Sequence, residues 1–179
     1  MKARIALLAV SFATFLVAGC VSSPPTETLP ADPESQAASL AGEIVRRLTH
    51  DPYFMRHLDS WTIQNHGEKP RIVVVPGTHR SPFRENKVSE GLGARLASAL
   101  ARSELFSDCS IWTDALSDET AAKAPDSDFT MSLMAFAVQV NEKTMDTYAS
   151  AVVDAKTHRD VWSGSVQVIT ENGVSRMVK

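Results

Sequence analysis

Sulfur, imidazole and basic charge are all scarce in this sequence, which has two cysteines, five histidines and 18 Lys/Arg in 179 residues. Two thiols cannot build a disulfide scaffold. The histidines stand scattered at positions 50, 57, 66, 79 and 158. His50 and His57 are seven residues apart with Pro52 between them, so no metal-ligand pair at helical spacing exists. Neither a metal nor a cofactor is expected. The 18 basic residues face 21 acidic ones and form no long basic run, which removes the electrostatic footprint of a nucleic-acid binder. With 44% apolar and 22% charged residues, the composition fits one ordinary globular domain plus accessories.

The first accessory is an export signal. Lys2 and Arg4 form a cationic tip, and the fourteen uncharged, mostly apolar residues from Ile5 to Ala18 have the length of a signal-peptide core rather than a membrane span. The signal ends in "LVAGC", which resembles a bacterial lipobox. That resemblance implies cleavage before Cys20, lipidation of its thiol and acylation of the new amine. More than one acyl chain gives stable anchoring. Val21 stands where an inner-membrane retention Asp is common, so the same resemblance implies the outer membrane, on its periplasmic face. Loss of Lys2 and Arg4 leaves 16 basic against 21 acidic residues.

The expected organisation is a signal peptide over 1–19, the lipidated Cys20 with a tether over 20–34, and a single domain over 35–179. The tether "VSSPPTETLPADPESQ" holds four prolines and one large apolar residue, Leu29. It buries too little to offset its own ordering, and fully extended it reaches at most about 45 Å. With Cys20 lipidated, Cys109 is alone, and its surroundings "LFSDCSIWTD" predict a small buried thiol at a strand entry.

Asp32 and Pro33 predict the start of a helix, whose apolar stripe runs through Leu40, Ile44 and Leu48 to His50. Asp51-Pro52 restarts a short second segment, with Tyr53, Phe54, Leu58 and Trp61 as anchors. "RIVVVPG" predicts a central strand buried on both faces. A polar loop follows, and then a helix with Val88, Leu92, Leu96 and Leu100 at intervals of four. Gly91, Ala94, Ala97 and Ala99 allow it a close approach. "CSIW" makes the next strand, and only a reduced helix fits between it and "SDFT". In "FTMSLMAFAVQV" the apolar parity changes, which predicts a bulge near Leu133 or Met134. A turn at "NEKTMD" leads into the strand "TYASAVVDA".

The stretch "SAVVDAKTHRDVWSGSVQV" concentrates Asp154, His158 and Ser163, residue types found in nucleophilic catalysis. Its alternation is plainer. Trp162, Gly164, Val166 and Val168 share one parity and Ser163, Ser165 and Gln167 the other, so this is a half-exposed strand entered through a hairpin turn. A catalytic constellation needs side chains converging from a scaffold. Consecutive turn residues do not supply that, and the chain reads as a non-enzyme.

The order of strand, polar loop, amphipathic helix and late hairpin resembles the outer-membrane lipoproteins that activate penicillin-binding proteins, the LpoB type. In that family the hairpin usually reads D-A-x-T-G-x-x-x-W, and Asp154, Ala155, Thr157 and Trp162 match it. His158 stands where Gly is usual, which requires a left-handed backbone at a non-glycine residue. The resemblance implies a small mixed α/β sheet of about five strands with two or three packing helices, similar to the N-terminal domain of TolB. It also implies a periplasmic partner, a peptidoglycan synthase of the class A penicillin-binding protein type, which this chain would bind and activate. A structural or assembly lipoprotein of an envelope machine, of secretion or flagellar type, is the alternative. Within the loop after the first strand, His79, Arg80, Phe83 and Arg84 combine residue types enriched at interface hot spots and are the expected partner contacts.

Overall fold

The computed structural model describes residues 25–77, 79–80, 86–112 and 126–179. In chain order its elements are β1 (Thr26–Thr28), α1 (Pro33–His50), α2 (Pro52–Gln64), β2 (Arg71–Val75), β3 (His79–Arg80), α3 (Lys87–Arg102), β4 (Asp108–Ile111), β5 (Phe129–Val140), β6 (Lys143–Asp154), β7 (Arg159–Glu171) and β8 (Val174–Val178). One mixed sheet runs β1-β8-β7-β6-β5-β2-β4, with β3 pairing β5 off that path. Strand β2 is parallel to both β4 and β5. A parallel neighbour needs a crossover, and α3 supplies it between β2 and β4. From β5 to β8 the strands are antiparallel neighbours in sequence order.

Proline and aspartate fix where the helices begin. Asp32 accepts a hydrogen bond from Ser35 N at 2.8 Å, and Asp51 accepts from Tyr53 N and Phe54 N, both at 2.9 Å. Pro33 and Pro52 then occupy first-turn positions, where no backbone donor is missed. On α3 the cap is Asn86, whose Oδ1 accepts from Val88 N and Ser89 N while its Nδ2 donates to the Tyr148 hydroxyl at 2.9 Å. One buried amide thus both starts α3 and ties it to β6.

The expected apolar stripes meet in one core. Leu40, Ile44 and Leu48 of α1 and Val88, Leu92, Leu96 and Leu100 of α3 pack with Ile72, Val74, Met131, Val152, Trp162, Val166 and Met177 from one face of the sheet. Phe129 sits at the end of this layer, its ring 5.8 to 6.5 Å from those of Phe54, His57, Trp61 and Phe106. The small residues on α3 serve contacts with both neighbours. A Cβ at Gly91 would lie 3.8 Å from the Ala37 side chain of α1, and one at Gly93 only 3.1 Å from Pro76 at the end of β2.

A buried carboxylate fastens α1 to the sheet. Glu43, 6% exposed, accepts from Arg46 at 2.7 Å and from Arg47 at 2.8 Å. Arg47 continues outward to the carbonyls of Ser165 on β7 and Val178 on β8. The hydrogen bond from Arg46 lowers the Glu43 carboxyl most; burial opposes, and Arg47 lowers it further, to about 2. Cys109 is part-buried against the core. Its burial, with Asp108 adding, pushes the thiol up to about 11, which leaves little thiolate at neutral pH.

Several expectations need correction. The sheet has eight strands among the described residues rather than about five. One of the extra strands, β1, lies inside the segment read as tether. Thr26–Thr28 pair with β8, Leu29 is buried, and Leu29 N donates to Ser175 O at 2.9 Å. An exposed strand edge at β8 offers backbone partners that compensate for a poorly apolar sequence. Tyr53 is no anchor, being 74% exposed, because the first turn of α2 points it away from the core that Phe54 enters. The turn at "NEKTMD" is confined to Asn141 and Glu142, and Asp146 lies within β6, buried. No bulge interrupts β5, whose register with β6 is continuous from Phe129 to Val140. The register shift lies in the β6–β7 pair instead, where Val161 is the extra residue between Asp160 and Trp162. The reduced helix expected after β4 falls outside the described residues.

Candidate partner-binding face

The continuous register of β5 turns its mixed parity into a two-sided surface. Phe129, Met131, Leu133 and Ala135 are buried under the helices, whereas Met134, Phe136 and Val138 point the other way and are 55%, 39% and 43% exposed. Among the described residues, all three helices pack on the first side; on the second, Val73 and Thr147 are buried as well, and exposure is confined to the stretch around Met134, Phe136 and Val138. On that bare side Met134 stands opposite Ala149, Phe136 opposite Thr147 and Val138 opposite Met145. Ser163 and Ser165 of β7 carry the surface on, opposite Ala151 and Ala149. These small residues leave a shallow trough of about 470 Å³ beside Met134. A row of large apolar side chains bordering a trough of Ser and Ala offers both protrusions and a recess. That is the pattern of an interface core rather than of a scattered exposed residue.

The loop proposed from sequence leads onto this face. After Pro76 and Gly77 the chain stays beside β5, and β3 pairs His79 with Ala135 and Arg80 with Phe136. Gly77 permits that approach, since a Cβ there would fall 1.6 Å from the Leu133 carbonyl oxygen. The backbones of His79 and Arg80 therefore adjoin the exposed row. Their side chains, and all of Phe83 and Arg84, lie outside what the structure describes, as does Cys20.

The hairpin at the opposite end of β6 is built by Asp154. Its Oδ1 accepts from Lys156 N at 2.9 Å and from Thr157 N at 2.8 Å, while His158 N donates to Asp154 O. His158 adopts φ 55°, the left-handed backbone that the sequence requires of it. Ala155 N donates to Asp128 O, and Arg71 N donates to Asp128 Oδ2, so the turn is stitched to the start of the central strands. Gly164 lets the Trp162 indole lie flat along β7; a Cβ there would meet the ring at 2.7 Å. The pattern residues of the hairpin are thus fold-forming. Burial pushes the Asp154 carboxyl up, but the hydrogen bonds from Thr157 and Lys156, with the His57 imidazole close by at 3.4 Å, outweigh it and hold it below the usual carboxylate range.

Sequence reasoning missed the pairing of His57 with Asp154, whose Nε2 and Oδ2 are 3.4 Å apart. No local spacing signals it, because α2 and the hairpin meet only through the tertiary fold. Asp154, His158 and Ser163, grouped in the sequence, are not brought together as a catalytic set: Asp154 holds the turn and Ser163 faces the bare side. Among the described residues no group of three or more His, Cys, Asp or Glu is placed to hold a metal ion, and no helix is long and apolar enough to cross a membrane.

The fold and this face define a mixed α/β domain whose described helices all lie on one side of the sheet, with Met134, Phe136 and Val138 exposed on the other. No protein-family model and no curated protein matches the chain. Among solved structures it is similar to the LpoB C-terminal domain from Escherichia coli, at 12% identity and a TM-score of 0.46, covering 74% of this chain and 97% of that one. It is similar also to lipoprotein GNA1162 from Neisseria meningitidis, at 17% identity and a TM-score of 0.40, covering 57% and 81%. A third similarity is to the PelC dodecamer from Paraburkholderia phytofirmans, at 13% identity and a TM-score of 0.37, covering 61% and 70%.

Proposed function

We propose that this chain is a lipid-anchored, non-enzymatic protein of the outer membrane that binds a periplasmic class A penicillin-binding protein and stimulates it. The observation that carries the reading is the exposed row of Met134, Phe136 and Val138 on the side of the sheet away from the described helices. The lipobox resemblance at Cys20 supports the anchor, and the D-A-x-T hairpin with Trp162 supports the activator class. Stimulation by a bound partner requires better contacts with the active than with the resting synthase. A coupling of about 1 to 3 kcal/mol would multiply the rate of glycan polymerisation roughly 5- to 150-fold, if the gain is expressed wholly in activity.

The test uses the full chain in detergent with purified class A synthases of the same cell, reading both binding and glycan polymerisation. Binding with acceleration is expected, and Met134→Asp combined with Phe136→Asp should abolish both while the far-ultraviolet circular dichroism stays unchanged. Absence of binding at about 100 μM would refute the activator reading. The weight would then pass to a scaffold of an envelope machine.

A further inference from the structure

At the hairpin end of the domain, away from the exposed row, a cleft of about 730 Å³ opens between α2 and the β6–β7 turn. This is the size range of small-ligand sites. His57, Trp61 and Gln64 line it from α2, Asn65 from the helix cap, and Asp128 and Asp154 from the sheet side. Trp61 is half-buried and packed against the core, its ring centroid 6.3 Å from that of Phe129 at a tilt of 54°. Asn65 is likewise oriented, its side-chain nitrogen donating to Trp61 O at 2.8 Å.

The chemistry of this lining narrows the occupant. A wholly apolar ligand would leave carboxylates and amides unpaired, each at a cost. A phosphate or other anion would meet one lysine, Lys156, but also two carboxylates, one of them held ionised by the turn. Acceptor capacity does remain on both carboxylates. Asp154 Oδ1 receives two backbone donors, Asp154 Oδ2 has only His57 at 3.4 Å, and Asp128 Oδ2 receives both donors from Arg71. A six-membered sugar ring combines an apolar C–H face with a rim of hydroxyls that both donate and accept. It would lay that face on an indole and direct the rim at planar carboxylates and amides.

We propose that this cleft binds a pyranose unit of a saccharide chain, with Trp61 as the stacking platform and Gln64, Asn65, Asp128 and Asp154 as the hydrogen-bonding rim. The site is separate from the bare sheet face, and the proposal does not depend on the synthase reading. A saccharide on this end and a protein on the sheet face could be held together.

The experiment is saturation-transfer NMR and titration of the full chain, kept in a detergent without sugar headgroups. The probes are the N-acetylglucosamine tetramer and, as a neutral comparison, maltotetraose. Saturable binding of at least one probe is expected with a dissociation constant of about 1 mM. Trp61→Ala should weaken it at least about tenfold and Gln64→Ala about fivefold. Gln64 is exposed and outside the core, so its variant decides the matter if Trp61→Ala fails to fold. Absence of transfer to both probes at about 10 mM would overturn the proposal. So would binding that both variants leave unchanged.

Discussion

The two faces of one sheet differ sharply in exposure along β5. Under the helices, Met131 and Leu133 are buried, while one residue further along the same strand Met134 is 55% exposed. Side chains alternate across a strand, so both faces of β5 carry apolar residues for different reasons. The covered face spends them on cohesion, where removal leaves a cavity. On the other face Met134, Phe136 and Val138 stay exposed, so their removal should cost the isolated domain almost nothing. Apolar content alone therefore does not mark a core. Along β5, what separates buried from exposed apolar residues is which side α1, α2 and α3 occupy.

The contrast can be broken most forcefully with a matched pair. Phe129→Ala should lose about 4 kcal/mol of unfolding free energy by urea denaturation, because four rings surround that side chain. Phe136→Ala should stay within about 0.5 kcal/mol. Equal losses in both variants would erase the distinction between the faces.

A second test concerns how the covered face is fastened. Glu43→Gln should cost about 1.5 kcal/mol at neutral pH by weakening charge-assisted bonds to Arg46 and Arg47. The Glu43 carboxyl is depressed in the folded chain from 4.5 to about 2, so its contribution is complete above pH 4.5 and is lost as pH falls toward about 2. Melting temperatures across that window should fall less steeply in Glu43→Gln than in the parent. Identical slopes would remove Glu43 as a titrating clasp.

The smallest effect belongs to the hairpin. His158 holds φ 55°, and His158→Gly should gain about 0.5 kcal/mol, the left-handed strain relieved less the extra chain entropy of glycine. A loss on urea titration would mean that the imidazole itself contributes to the turn.

Much of the covered half was legible in the sequence. Ile72 and Val74 of the unbroken β2 run, the four-residue stripe of α3 and the alternation from Trp162 to Val168 each have a single physical reading, and Val73, on the opposite side, is buried as that run predicts. The bare half was less legible for the same reason that makes it interesting. Its apolar residues on β5 imitated a phase slip, and a bulge was inferred where the strand is regular. Strand β1 was hidden because its stability comes from the edge of β8 rather than from its own residues. The meeting of His57 and Asp154 was equally hidden, since only the docking of α2 beside the hairpin creates it. Of the expected partner loop, only the backbones of His79 and Arg80 are described, paired with β5 in a way no local pattern signals, and Phe83 and Arg84 lie beyond the described residues.

The central claim, that the bare face is where a partner binds, is open to one direct reading. Met134 and Met145 lie on that face, whereas Met131 and Met177 are buried beneath the helices. Methyl-labelled methionine NMR of the chain, recorded with and without a class A synthase, reports all four at once. The expected result is shift or broadening of Met134 and Met145 with Met131 and Met177 nearly unmoved. Perturbation confined to the covered pair, or none at saturating synthase, would contradict it.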